Sequence, residues 1–221
     1  MASIASLTAE EVRKMFSEKA IYHVEDSNVG QRVETMQRKG MLLETADGLD
    51  FCKQNVFDDM RVRHVLEALF PWSGIGIYEA YRQPSEAPST IYGFMTGLEP
   101  LTAVVVQLWG PNSKMVYYDG SHQLQIEGFP LPIGLLEIPY APLRQARCRP
   151  VPVEMKEGGI VVLDARLAFR IEGGYAIHCV FATREELRGW PKKKFPRNRG
   201  LEQKAAEMES QTMGLNFTFT D

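Results

Sequence analysis

GGIVVLDARLAFRI, residues Gly158–Ile171, is the stretch whose reading decides the fold. A glycine pair turns the chain, and the β-branched run Ile160 to Leu163 follows as a strand. Asp164 closes that strand, the chain turns at Ala165-Arg166, and the next segment begins at Phe169.

The same grammar extends on both sides. Upstream, Thr102 to Trp109 (TAVVVQLW) reads as a buried strand ended by the turn Gly110-Pro111-Asn112. Lys114 to Tyr118 (KMVYY) is the next strand, closed by Asp119-Gly120. Leu135 to Tyr140 and Val151 to Met155 continue the series, and Tyr175 to Ala182 completes it downstream. Gln107 and Trp109 share one face of their strand, opposite Val104, Val106 and Leu108, so they are candidates to line an interior.

Before Pro71 the periodicity is helical. Thr8 with Glu11 forms a capping box. Val29 to Lys39 reads as a helix with Gly40 at its C-cap, and Met41-Leu42-Leu43 as a short strand. In Phe57 to Phe70, Met60, Val62, Val65, Leu66 and Leu69 fall on one side, and Pro71 stops the helix. Leu201 to Met213 is helical in composition. The pattern predicts a single mainly β domain, 1–221. It divides into a helical part (1–72), a sandwich or jelly-roll core (75–183) and a C-terminal extension with a helix (184–221).

Composition excludes several classes. The 221 residues are 44% hydrophobic and 24% charged, ordinary for a globular chain. A net charge of -3 gives no basic footprint for nucleic acid. The basic run Pro191 to Arg199 (PKKKFPRNR) is local, either a solvated loop or a docking patch. Cys52, Cys148 and Cys179 form no CxxC pair, and with no signal peptide in view the expected location is cytoplasmic. No apolar run reaches spanning length, so no membrane partner is expected.

Three segments in order, LTAVVVQLW, MVYYDGSHQL and VEMKEGGIVVLDARLAFRI, resemble the phytanoyl-CoA dioxygenase branch of the iron(II)/2-oxoglutarate oxygenases. They lie within about Leu101 to Ala182. The resemblance implies a double-stranded β-helix, a cupin-like jelly roll with flanking N- and C-terminal helices. It also implies an iron site of two histidines and a carboxylate. The His-x-Asp half should fall in Ser89 to Pro100, STIYGFMTGLEP, which holds no histidine; Glu99 alone is not a triad. The second histidine should fall at Phe169, and a phenyl ring has no lone pair to give a metal. His122 belongs to a Gly-Ser-His turn, and His178 sits near the place of the arginine that grips 2-oxoglutarate; Arg170 would point the wrong way. The expectation is therefore a scaffold with no metal and no cofactor.

Three functions stay open at this point. The resemblance implies that such a chain serves as the silent subunit of a heterodimeric oxygenase in fungal terpenoid or meroterpenoid biosynthesis, stabilising an active paralogue. A metal-independent isomerase, cyclase or epimerase on a hydrophobic metabolite would draw on Tyr117, Tyr118, Asp119, Asp164, Arg166 and His178. There His178 is the candidate base, against a hydrogen-bonded core histidine. Asp164 and Arg166 read either as that enzyme's residues or as a pair across the turn. The third function is a binding or scaffolding protein without such a partner, or a true oxygenase. Gln107, Trp109, Tyr118, Phe169 and His178 are the candidates to line a cavity for a hydrophobic small molecule.

Overall fold

The computed structural model describes residues 4–82, 89–98 and 100–221. Glu99 lies outside them.

Eight strands form the roll: β2 (Ser73–Arg82), β3 (Tyr92–Gly93), β4 (Ala103–Trp109), β5 (Ser113–Asp119), β8 (Arg149–Met155), β9 (Gly159–Asp164), β10 (Phe169–Gly173) and β11 (Tyr175–Ala182). Four of them pair antiparallel in the order β9-β4-β11-β2, and the other four in the order β3-β10-β5-β8. Most connections carry the chain from one sheet to the other, which makes this the double-stranded β-helix the resemblance implied. Short strands extend both sheets. β1 (Ile21–Glu25) joins β9 at one edge of the first sheet, and β13 (Met213–Leu215) joins β2 at the other. The hairpin of β6 (Phe129–Pro130) and β7 (Leu136–Glu137) extends the second sheet beyond β3. β12 (Lys193–Pro196) and β14 (Phe217–Thr220) form a small parallel ribbon.

Helices cover the outer face of the first sheet. They are α1 (Ala9–Lys19), α2 (Ser27–Arg38), α3 (Ala46–Cys52), α4 (Met60–Leu69) and α7 (Arg199–Met208). The one-turn helices α5 (Tyr140–Gln145) and α6 (Arg184–Leu187) lie in connections. The helical share is large enough that the chain is mixed α/β, which corrects the expectation of a mainly β domain. The reason is geometric. The first sheet is buried on both faces, against the second sheet on one and the helices on the other. β4 is accordingly buried at all seven positions, and its sequence is an apolar run rather than an alternation.

Local signals held where they were self-contained. The Thr8–Glu11 box caps α1, with Glu11 N donating to Thr8 Oγ1 at 3.2 Å and Thr8 N to Glu11 Oε2 at 2.7 Å. Others did not. Met41-Leu42-Leu43 forms no strand, because Met41 takes a positive φ of 56° and turns the chain toward α3. Leu135 to Tyr140 yields only the two residues of β7 before α5 begins.

The glycine pair of the quoted stretch is a junction of three elements. Gly158 has φ +84°, and a Cβ there would stand 2.4 Å from Gly30 Cα in α2 and 2.6 Å from the Trp109 carbonyl oxygen at the end of β4. A Cβ on Gly159 would stand 2.2 Å from the Val24 oxygen of β1. Asp26 N donates to the Gly158 carbonyl at 2.9 Å, so the N-cap of α2 is tied to this turn. The quoted stretch therefore docks the helical layer as well as forming a strand.

Candidate functional site

Strand parity decides which side chains meet inside the roll. Ala103, Val105 and Trp109 of β4, Met115 and Tyr117 of β5, Val161 and Leu163 of β9, Phe169 and Ile171 of β10, and Ala176 and Val180 of β11 form the apolar layer between the sheets. Gln107 and His178 share those faces and are directly paired in the β4–β11 register. Tyr118, one residue after Tyr117, faces outward, in a separate cluster with Val116, Ile126 and Leu143. Its edge meets Tyr140 at 6.4 Å, and Arg170 lies beside it. Tyr118 thus does not line the interior as expected, and Arg170, joined to Glu172, lies on the outer face.

Phe169 heads β10, paired with Tyr92 of β3 on one side and Tyr117 of β5 on the other. It is fully buried. Phe94 follows β3 directly, and the Phe94 and Met95 amides both donate to the Ala165 carbonyl, at 3.2 and 3.0 Å. That clamp lays the Phe94 ring on Phe169, with centroids 5.8 Å apart and planes 17° apart. Phe94 falls in the segment where the resemblance places the His-x-Asp pair, and Phe169 where it places the second histidine. Two stacked phenyl rings, one from each of the two segments in which the resemblance places metal ligands, meet inside the roll.

His178 completes the centre. Its ring sits 4.6 Å from Tyr81, 5.5 Å from Phe94, 6.0 Å from Trp109 and 6.0 Å from Phe169, centroid to centroid. The side chain is sealed from solvent, and among the described residues neither ring nitrogen has a hydrogen-bond partner. Burial alone lowers its pKa from 6.5 to about 3. Such a ring stays neutral and is a weak proton acceptor at neutral pH. Beside it, Gln107 Oε1 accepts from Tyr117 Oη at 2.7 Å and from Trp109 Nε1 at 3.1 Å, while Gln107 Nε2 has no partner among the described residues. Burial pushes the Tyr117 hydroxyl well above its usual pKa, so it stays protonated and donates.

The remaining candidates are tied up elsewhere. Asp164 accepts from Arg166 N and Nε through Oδ1, at 2.8 and 2.9 Å, and from Arg166 Nη2 through Oδ2 at 2.6 Å. This bidentate pair fixes the turn between β9 and β10. Asp119 is held by Arg149 at 2.6 Å. Ser121 Oγ accepts from Ala168 N at 2.8 Å, so the Gly-Ser-His turn sets the approach to Phe169, and His122 turns to the Ser17 carbonyl.

Iron does not fit this centre. Among the described residues no three His, Cys, Asp or Glu side chains come together as a metal would require. The groups that face one another are rings, one amide and one imidazole, which lack the carboxylate and paired histidines of a facial triad. Sequence reasoning anticipated Phe169 but missed Phe94, Tyr81 and Tyr92. STIYGFMTGLEP lacks histidine but carries Tyr92 and Phe94, and those aromatics were the signal for a partner to Phe169.

No family model and no curated protein matches the sequence. Solved structures do match. EctD from S. alaskensis, with 2-oxoglutarate and 5-hydroxyectoine, superimposes with a TM-score of 0.56 at 11% identity, over 84% of this chain and 82% of that one. The non-heme alpha-ketoglutarate-dependent epimerase SnoN from nogalamycin biosynthesis gives 0.52 at 12%, over 79% and 82%. HygX from Streptomyces hygroscopicus, with iron bound, gives 0.53 at 13%, over 81% and 88%. The chain thus has the fold of the iron/2-oxoglutarate oxygenases. At these identities the likeness speaks for the fold, and the centre built on it here is of another kind.

Proposed function

We propose that the chain is a catalytically silent member of the oxygenase fold that binds and stabilises an active paralogous iron(II)/2-oxoglutarate dioxygenase as a heterodimer, in secondary metabolism. The observation that carries it is the Phe94–Phe169 stack between the two segments in which the resemblance places metal ligands, with the sealed His178 cage behind it. Such a centre contributes core packing in place of chemistry, and binding to a folded partner stabilises that partner by mass action. That SnoN acts in nogalamycin biosynthesis supports the secondary-metabolic setting; the meroterpenoid pathway rests on the sequence resemblance.

The geometry lends less support to a metal-independent isomerase or cyclase. His178 is sealed and weakly basic, Asp164 and Arg166 neutralise each other, and Tyr117 donates inward to Gln107.

Co-expression with a paralogue that retains His-x-Asp and the distal histidine tests the reading. The two chains should co-purify, and the paralogue's activity and melting temperature should rise. His178→Leu in this chain should leave both unchanged. Absence of a complex, or turnover of a pathway substrate by this chain alone and without metal, would sink it.

A further inference from the structure

The C-terminal extension builds a second site, outside the vacated centre. Residues Trp190 to Lys194 run past the free edge of β2, and the tip of the β6–β7 hairpin rises on the other side. Between them is a cleft of ≈ 820 Å³. That volume lies in the range of small-molecule sites, roughly 300–1,000 Å³.

Both walls are preformed. The Trp190 indole donates from Nε1 to Glu186 Oε1 at 3.0 Å. Its ring lies against Gly76, where a Cβ would stand only 2.5 Å from Trp190 Cε3, so glycine on β2 lets the indole lie flat on the strand. On the far wall, the Tyr81 hydroxyl donates to the Ile133 carbonyl at 3.0 Å and ties the hairpin tip to β2. Ile133 nevertheless remains 49% exposed, an aliphatic side chain lining the cleft. Ile77 and Ala80 supply an apolar floor.

The charge is one-sided. Lys193 is neutralised by Glu44 at 2.6 Å and Glu79 at 2.5 Å. Lys192 and Lys194 flank it at the mouth, with no ion pair among the described residues. The cleft therefore offers an apolar, aromatic-walled body and, at its rim, two ammonium groups outside the Lys193–Glu44–Glu79 cluster, three lysines against two glutamates leaving a net positive charge.

We propose that this cleft binds an amphipathic organic anion: a flat ring system seated between Trp190 and Ile133, with a carboxylate or sulfonate at Lys192 and Lys194. Aromatic and aliphatic walls retain the body by burial, and the lysines select the charge. The site is independent of any partner chain, so its test stands apart from that of the heterodimer.

The probes are 8-anilinonaphthalene-1-sulfonate and its neutral relative N-phenyl-1-naphthylamine, titrated by fluorescence against the full chain at moderate salt. Saturable binding at one site is expected, with the sulfonate favoured about tenfold, the size that exposed ion pairs supply. The double variant Lys192→Ala/Lys194→Ala should erase that preference and leave the neutral probe's affinity unchanged. Ile133→Asp should weaken both probes about tenfold or more. All three positions are exposed, so the thermal melts should match the parent chain. No saturable binding, equal weakening of both probes by the lysine variant, or indifference of both probes to Ile133→Asp would each overturn the proposal.

Discussion

Replacing His178 with leucine and following stability against pH probes the aromatic cage at its most sensitive point. The ring is sealed by Tyr81, Phe94, Trp109 and Phe169, and both nitrogens lack partners among the described residues. Its pKa falls from 6.5 to about 3 on folding. The folded chain therefore refuses a proton that the unfolded chain accepts below pH 6.5. The contribution of the neutral ring is complete above pH 6.5 and is lost as pH falls toward 3. At pH 4.5, two units below the unfolded value, the loss is about 2.7 kcal/mol, at roughly 1.36 kcal/mol per unit. At pH 7.5 two effects oppose each other in the variant. Removing two unpaired buried nitrogens returns about 1–3 kcal/mol each, and losing the four ring contacts costs about 0.5–1.5 kcal/mol each. They nearly cancel, so the pH dependence carries the signal. Carboxylates and His23, whose pKa is also lowered, by desolvation, titrate in both chains and subtract out. Urea unfolding at pH 7.5, 6.0 and 4.5 should show the leucine variant gaining about 2–3 kcal/mol on the parent chain between the first and last. Parallel curves would refute the reasoning, since they require the imidazole to be solvated or partnered in the folded state.

Three further outcomes are expected. Phe169→Ala should cost about 3–5 kcal/mol in urea unfolding, because four rings at fixed centroid distances close poorly over the hole; a cost below about 1.5 kcal/mol would mean the centre is soft. Phe169→His should bind no stoichiometric iron by metal analysis, because Ser89 to Pro100 supplies no histidine for the other half of a triad; stoichiometric iron would refute the register assumed for Phe169. Gly30→Ala should destabilise by about 1–3 kcal/mol although alanine is the better helix former by roughly 0.5–1 kcal/mol, because its Cβ would stand 1.9 Å from the Glu157 carbonyl oxygen; a raised melting temperature would show that α2 can shift off the sheet.

What could be read in the chain and what could not divides by range. The α1 capping box and the strand Tyr175–Ala182 were legible because their signals lie within a few residues. β1 was not. IYHVE is short and follows a helix, and it becomes a strand because the β9 edge needs covering. β10 was legible as an arrival at Phe169 but not as a strand, since FRIEG owes its extension to β3 and β5 on either side. α3 was missed because ADGLDFC carries a glycine and no helical stripe, and its burial comes from packing against α7 and the sheet.

Residue chemistry and strand rhythm are properties of the sequence alone. They established the roll, the phenyl ring at 169 and the absence of histidine between Ser89 and Pro100. Period-two alternation also separated neighbours such as Tyr117 and Tyr118 onto opposite faces. It could not say which face is the interior, because that depends on which sheet covers the strand; the tertiary structure turned Tyr117 in and Tyr118 out. Phe94, Phe169 and His178 lie on different strands or their ends, and only the crossing of the chain between sheets brings them together. The sequence places a phenyl ring at 169, and the fold decided that a stacked ring and a sealed imidazole would pack against it.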